Sequence, residues 1–465
     1  MAKKQKADFT DFYAGVMDEI EARQGGSSGL DDAMPEISSG MLAYDTVMGM
    51  GIRPAWYTTF GPEQSAKTTG ALTIVAHAIR QGVPVINLSD YEGSTANARG
   101  YVSSIFQGSG LKLSMEEIFG RRGKDGKWTT PPRVRYHAET VAERFFDRLH
   151  NVLKELPDKK KFGDKWYLIF PDDKKHAYLK DRAVEGMAKK YGRGIYIEAE
   201  DGKLQAIFVV DSYPAMNPEA NDEEDDNNSL ALQARMFSKQ FPRVKGRLAP
   251  KMVAVIGVNQ LRQAPMVRYG PPDYEPGGQA LRFNSDVRVR HTPRAISGVN
   301  ISPKPKPDKE DSGTEREPSV EFEGGSDIYR YVQIKGDKNK LWTPKRKAWI
   351  RIWQEDGSGK ARGLDPVFDV WQYLVTTGQA SGKNKKVLKF NLAGLGEGRK
   401  TITWVELKRW ILGKKDDKIA VSKKLGYPPM DLKKFCFKQM ASGDGEAMYV
   451  AKQQQKSKAS DEDDE

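Results

Sequence analysis

The sequence predicts an α/β fold: a mostly parallel, twisted sheet flanked by helices, with a separate N-terminal helix and a small C-terminal α+β domain. Three observations predict it. Short apolar runs alternate with longer amphipathic segments, as parallel strands joined by crossover helices do. The runs VPVINLSD (83–90), LQAIFVVDS (204–212) and KMVAVIGVNQ (251–260) lack a polar face, which marks strands covered on both sides. Finally, GPEQSAKTTG (61–70) sits between a strand and a helix and departs at one position, Ala66, from the phosphate-loop pattern G-x-x-x-x-G-K-[ST].

The elements follow in order. Phe9, Phe12, Val16 and Ile20 fall at helical spacing, so the N-terminal segment reads as an amphipathic helix. The linker GGSSGLDD closes this unit, residues 1–36. The α/β core is expected over 37–378. AWYTTF (55–60) is its first strand, TTGALTIVAHAIRQG a helix, and 133–156 a short strand followed by a helix. Residues 157–200 are lysine-rich with strand-like pieces, KWYLIF and GIYIEA, and read as an insertion. SLALQARMFSKQFPRVKGRL is helical. Residues 296–327 carry too much Pro, Ser, Gly and charge to order themselves, so a mobile loop is expected. A basic C-terminal domain spans 379–450, and the acidic tail, 451–465, is expected to be disordered.

Composition narrows the function classes. At 465 residues, two to three domains of roughly 150 residues each are expected. No apolar run reaches the length of about 18 residues that a membrane span needs, and the N-terminus lacks a secretory pattern. One cysteine, Cys436, excludes an internal disulfide and a cysteine-based metal site, which suits a reducing cytosol. The five histidines show no metal-ligand spacing and read as ordinary core or surface residues. The net charge of +12 favours a polyanionic partner, most commonly nucleic acid.

Three polar signals fall at the ends of apolar strands. In the loop, backbone N–H groups and a helix N-terminus would face phosphate, Lys67 would reach the β- and γ-phosphates, and Thr68 would ligate Mg²⁺. Asp211 ends IFVVD, where open α/β sheets bind ligands and where a nucleotide site needs a carboxylate near the metal. Glu92, in DYEGS, follows another buried strand and could activate an attacking water.

With these blocks in order, the chain resembles the RecA family of recombinases, in particular its phage-encoded branch. ISSGMLAYDTVMGMGI, GPEQSAKTT, DYEGS, FVVDSYPAMNP, NNSLALQARMFSKQF and NQLRQAPMVRYGPPDYEPGGQALRFNSDVRVR match family motifs, and the spacing from Asn259 to Gly277 fits without a gap. The resemblance covers roughly 8–100, 133–156, 204–295 and 328–378. It implies a RecA-like phosphate-loop ATPase core using ATP and Mg²⁺. Gly61, Pro62, Glu63, Gln64, Ser65, Ala66, Lys67, Thr68 and Thr69 would hold ATP, and Tyr101 is the candidate for stacking on adenine. Thr68 and Asp211, with Ser212, would serve the metal. Glu92 would activate water and Gln260 would sense the γ-phosphate. Lys338 and Lys340 would reach the ATP of the neighbouring subunit. Leu230, Arg235, Arg262, Gly277 and Gly278 match DNA-contacting positions, with Pro265 and Met266 standing where an aliphatic wedge is expected. Phe283 matches an interface aromatic.

The implied partners are single- and double-stranded DNA and further copies of the chain in a helical filament, with a loader and a single-strand-binding protein as accessories. The implied activity is DNA-dependent ATP hydrolysis coupled to homologous pairing and strand exchange, in the cytosol of a bacterium or phage-infected host and without a membrane partner. The departures are Ala66, Pro265 and five acids clustered from Asp222 to Asp226. Two other readings share some of these motifs: a RecA-fold motor such as a ring helicase, and a DNA-coating protein in which Ala66 has cost hydrolysis.

Overall fold

The computed structural model describes residues 37–219, 229–263, 273–294, 327–342, 346–356, 363–384 and 387–442. The N-terminal helix, the acids 222–226, Pro265, Met266, the loop through residue 326, the tail and the side chain of Leu230 lie outside the described residues.

The central sheet contains β1 (Trp56–Gly61), β2 (Val85–Asp90), β3 (Arg135–Ala138), β4 (Ala206–Asp211), β5 (Val253–Gln260), β6 (Val287–Arg294), β7 (Asp327–Asn339), β8 (Lys347–Asp356) and β9 (Gly363–Leu364). Their order across the sheet is β9-β8-β7-β6-β1-β5-β4-β2-β3. Strands β1 to β6 are all parallel, and β7, β8 and β9 continue the sheet antiparallel. The fold is therefore mixed α/β with a mostly parallel sheet flanked by helices.

The apolar strands are explained by a core on each face. Helices α1 (Leu42–Met48), α2 (Lys67–Arg80) and α3 (Arg99–Gly108) cover one side. There Tyr44, Val75 and Phe106 join Ile207, Val209 and Ile256. Helices α4 (Ala142–Glu155) and α5 (Ser229–Val244) cover the other. There Phe145, Phe146, Phe237 and Phe241 pack with Trp56, Phe208 and Val210. Successive residues of β4 thus point into opposite cores, as the pleat requires. Trp56 buries its indole without an orphan donor, because Nε1 donates to the Tyr213 hydroxyl at 2.7 Å.

Next in the chain come α6 (Gly278–Asn284) and α7 (Pro366–Thr376), then α8 (Trp404–Leu412), α9 (Lys415–Leu425) and α10 (Leu432–Ala441). Trp371 and Leu374 of α7 enter a third core with Leu388, Phe390, Trp410, Leu425 and Cys436. Residues 157–200 form a three-stranded antiparallel sheet, Asp158–Phe162, Lys165–Phe170 and Ile195–Ala199. Its own core is small, with Leu179, Ile195 and Ile197 clustered and Tyr167 and Tyr196 also buried. Gln205 ties it to the starts of β4 and β5 through bonds to the carbonyls of Pro157 (2.9 Å) and Lys251 (3.0 Å).

Two buried carboxylates fasten α1. Asp369 of α7 accepts from the N–H groups of Leu42 (2.8 Å) and Ala43 (2.9 Å), satisfying donors that a helix start leaves open. Asp45 accepts from Ser38 Oγ at 2.6 Å and Ser39 N at 2.8 Å. Burial pushes Asp45 up to about 7 and Asp369 up to about 6, with the charge of Asp369 adding to the first and that of Asp365 to the second. Because these folded-state values exceed those of unfolded aspartate, the folded chain holds extra protons between about pH 4 and 7, and its stability falls as pH rises through that window. The expected result is a melting temperature that drops from pH 5 to pH 8. Asp45→Asn, which keeps the oxygen acceptor but cannot ionise, should flatten that drop in a calorimetric series.

Candidate phosphate-loop site

The site is assembled by strand register. Gly61 pairs with Gln260, Asp90 with Asp211 and Gly257 with Val210, so four parallel strands end at the same edge of the sheet, with β1 and β5 reaching further than β4 and β2. Beyond β1 the chain turns through residues 62–66 into α2. Gly61 has no room for a side chain, since a Cβ there would meet the His291 carbonyl oxygen at 2.4 Å and Ser65 Oγ at 2.9 Å. Ala66 occupies the helix N-cap with no side-chain cap, at φ +63° and ψ +23°. The first turn of α2 therefore keeps its backbone donors available for an anion.

Lys67 is buried, with Nζ donating to the Pro62 carbonyl at 2.6 Å and Ser65 Oγ at 3.2 Å. Burial pulls it down to about 8, against the opposing charges of Asp211, Glu92 and Glu63. Thr68 Oγ1 donates to Asp211 Oδ2 at 2.8 Å. Asp211 is pushed up to about 7 by burial, and the charges of Glu92 and Asp90 add to this while Thr68 and Lys67 oppose it. Its other oxygen, Oδ1, is buried and unpartnered. An orphaned carboxylate oxygen beside a threonine hydroxyl is a donor set that suits Mg²⁺.

Glu92 lies across from Asp211. Its Oε1 accepts from Ser212 Oγ and from Gln260 Nε2, the latter at 2.9 Å. Gln260 ends β5, and the chain continues into Arg262–Gln263, which pairs antiparallel with Asp273–Tyr274. Arg235 on α5 and Arg262 are exposed on this side. Gly277 and Gly278 sit at φ +93° and +69° against α5, where a Cβ on Gly278 would meet that of Ala234 at 2.8 Å. These glycines have a packing role as well as the DNA role the resemblance implies. Tyr101 is at the loop, its hydroxyl 2.6 Å from Thr69 Oγ1. Glu63 and Gln64 form the exposed crest of the loop.

Lys338 and Lys340 are elsewhere. Lys338 pairs with Arg288, which is level with Thr58, and Lys340 N donates to Asp286 O at 2.9 Å. Both lie level with the beginning of β1, at the edge opposite the phosphate loop. Lys338 Nζ donates to the carbonyls of Arg282 (2.9 Å) and Phe283 (3.0 Å). The Phe283 side chain is 68% exposed beside it. Burial and the neighbouring cations Lys340, Lys245 and Arg288 pull Lys338 down to about 8.

Three residues at the site escape sequence reasoning. His291 is buried, with Nδ1 2.8 Å from the Ser65 carbonyl and Nε2 3.0 Å from the Tyr44 hydroxyl. A carbonyl only accepts, so Nδ1 carries the proton and Nε2 accepts from Tyr44. Burial drops His291 to about 4, which keeps it neutral. Arg330 of β7 donates to Gln64 O at 2.6 Å and Gln64 Oε1 at 3.1 Å. Asp90 accepts from Thr95 N at 2.9 Å and the Tyr136 hydroxyl at 3.0 Å, which fixes the turn carrying Glu92. The only available signals are Asp90's place two residues before Glu92 and the position of His291 and Arg330 on strands beside β1.

Fold and site together define an α/β protein with a strand-to-helix loop of near phosphate-loop sequence at the ends of parallel strands. Comparison with known proteins adds a similarity. Residues 198–300 match the RecA N-terminal domain. The chain is 26% identical over 345 residues to the protein RecA of Thermus thermophilus, covering 74% of this chain and 72% of that one. It is 33% identical over 175 residues to the protein RecA of Thermus aquaticus, covering 37% and 42%. With the protein RecA of Bacillus subtilis it shares 24% identity over 334 residues, covering 71% and 68%. These matches support a RecA-family relationship. The matched domain segment takes in Asp211, Arg235, Gln260, Arg262, Gly277, Gly278 and Phe283, and the phosphate loop lies before it. Among the described residues, no helix is long and apolar enough to cross a membrane.

The packing behind the loop gives a test whose sign opposes helix propensity. Gly70→Ala would gain about 1 kcal/mol in an open helix. Here the new Cβ would meet the Tyr44 hydroxyl at 2.3 Å. The expected outcome is a loss of about 1–3 kcal/mol in chemical denaturation, the usual range for an overpacked core.

Proposed function

We propose that the protein is an ATP- and Mg²⁺-dependent DNA recombinase that forms a helical filament on single-stranded DNA and carries out homologous pairing and strand exchange. Its support is the RecA similarity together with one observation: Gln260 joins Glu92 to the segment that resembles the family's second DNA loop. The anion-binding loop, the unpartnered Asp211 oxygen and the +12 net charge are in keeping with it. The phage-encoded branch is part of the proposal and rests on departures such as Ala66.

In this reading the open N–H groups of α2 and Lys67 bind the phosphates, and Thr68 with Asp211 holds the metal. Bound ATP–Mg²⁺ supplies the γ-phosphoryl group and neutralises charge developing on the phosphates. Glu92 orients the attacking water and takes its proton. Gln260 and Ser212 hold one Glu92 oxygen, leaving the other for that water. DNA binding moves the segment after Gln260 and releases this grip, which makes hydrolysis DNA-dependent. Lys338 and Lys340, remote from the loop of their own chain, act on a neighbour's nucleotide, with Phe283 in the same contact. Arg235, Arg262 and the backbone at Gly277 and Gly278 meet DNA without reading its sequence.

The decisive measurement is ATP hydrolysis with and without single-stranded DNA. Stimulation by DNA in the wild type, and its loss in Lys67→Ala, is expected; no stimulation overturns the proposal. Glu92→Gln should lower turnover by about a hundredfold or more while nucleotide affinity changes little. Lys338→Ala should abolish DNA-stimulated hydrolysis with a similar loss. Wild-type turnover in that variant overturns the role across the interface.

A further inference from the structure

We infer that His291 and Arg330 are positioning residues that hold the phosphate loop in its anion-binding shape against the strain of a non-glycine residue at position 66. The inference rests on the nucleotide reading above. Ala66 and Gln64 both lie in the left-handed region, at φ +63° and +55°, where an L side chain crowds its own backbone. Two such residues within one short loop favour relaxation to ordinary backbone angles. A relaxed loop would turn its peptide planes and lose the converging donors.

Hydrogen bonds to the loop's carbonyls oppose that relaxation. The Pro62 carbonyl accepts from Ser65 Oγ at 2.8 Å and from Lys67. The Gln64 carbonyl accepts from Arg330, and the Ser65 carbonyl from His291. The Ala66 carbonyl accepts from Gly70 N at 2.9 Å within the helix. In a planar trans peptide, C=O and the following N–H point in opposite directions. Fixing the Gln64 carbonyl on Arg330 therefore aims the Ser65 N–H away from Arg330. Fixing the Ser65 carbonyl on His291 does the same for the Ala66 N–H. These are the two peptides flanking the loop residue just before Ala66, and each is held by a residue from another strand, Arg330 on β7 and His291 on β6. His291 is itself braced from behind by the Tyr44 hydroxyl on α1. Glycine at position 66 would remove the strain there, leaving only that of Gln64, and make the two clamps less necessary.

The test is a double-mutant comparison on the full chain, read as the dissociation constant of a fluorescent ATP analogue with Mg²⁺, with thermal melts to verify folding. His291→Ala and Arg330→Ala are each made with Ala66 and with Ala66→Gly. Left-handed strain in a non-glycine residue corresponds to about a five- to thirtyfold bias. Each clamp variant should therefore weaken binding by about tenfold with Ala66, but by less than about threefold with glycine. His291→Asn, which keeps an N–H donor for the Ser65 carbonyl, should bind within about threefold of the wild type. Equal losses in the two backgrounds overturn the inference, because a merely structural role would not depend on residue 66. If His291→Ala does not fold, Arg330→Ala and His291→Asn decide by the same criterion. A wild-type chain that binds no nucleotide overturns the nucleotide reading itself, whereas binding with additive losses overturns this inference alone.

Discussion

The register of four parallel strands is the constraint on which the site depends. Because β1 pairs with β5, β5 with β4 and β4 with β2 in fixed parallel register, Gly61 level with Gln260, Val210 with Gly257 and Asp211 with Asp90, these residues arrive at one edge of the sheet. A shift of one residue in any pair would send these side chains to the opposite face. The two apolar cores prevent that shift, since each strand is committed on both faces: Ile207 and Val209 to one side, Phe208 and Val210 to the other. The aromatic packing of Trp56 with Phe145, Phe146 and Phe241, far from the loop, therefore also helps to fix where Asp211 stands.

Burial then sets the electrostatics at that edge. Lys67 and Asp211 are both held near the point where they lose their charge, one drawn down and the other pushed up. A buried cation and a buried carboxylate normally offset their desolvation by pairing. Here Lys67 bonds to loop oxygens and Asp211 to Thr68, so neither is satisfied by the other in a direct contact. In the proposed nucleotide reading, a metal and a polyphosphate would supply each with its missing counter-charge. Pre-organised, under-compensated groups of this kind give electrostatic stabilisation without reorganisation.

The fold was largely legible because strand type follows from local pattern. IFVVDS and VAVIGVNQ have no polar face, and a strand covered on both sides is what that means. The loop, Asp211 and Glu92 stood out as candidates because each follows such a strand, whereas Gln260 entered only through the resemblance. What could not be read was the support behind them. His291 comes from the sixth strand and Arg330 from the seventh, and their value lies in lying beside β1, a tertiary fact. Burial, which makes His291 a neutral donor, leaves no mark in the local sequence. Ala66 is a related case. By composition it adds one methyl group, and only its left-handed backbone shows why glycine is the ordinary occupant.

The three-stranded insertion differs in kind from the rest of the molecule. Its buried centre is a small cluster of Leu179, Ile195 and Ile197 with Tyr167 and Tyr196 beside it, and its Gln205 tether meets the starts of the strands rather than their ends. A module with so little apolar burial opens at a lower free-energy cost than a sheet covered on both faces. In a hydrogen-exchange experiment it would behave as a separate cooperative unit, losing protection before the central sheet does. It also adjoins the opposite edge of the sheet from Asp211. A lineage could lengthen, shorten or replace this module, and change what the protein's outer surface meets, without altering the geometry at Asp211.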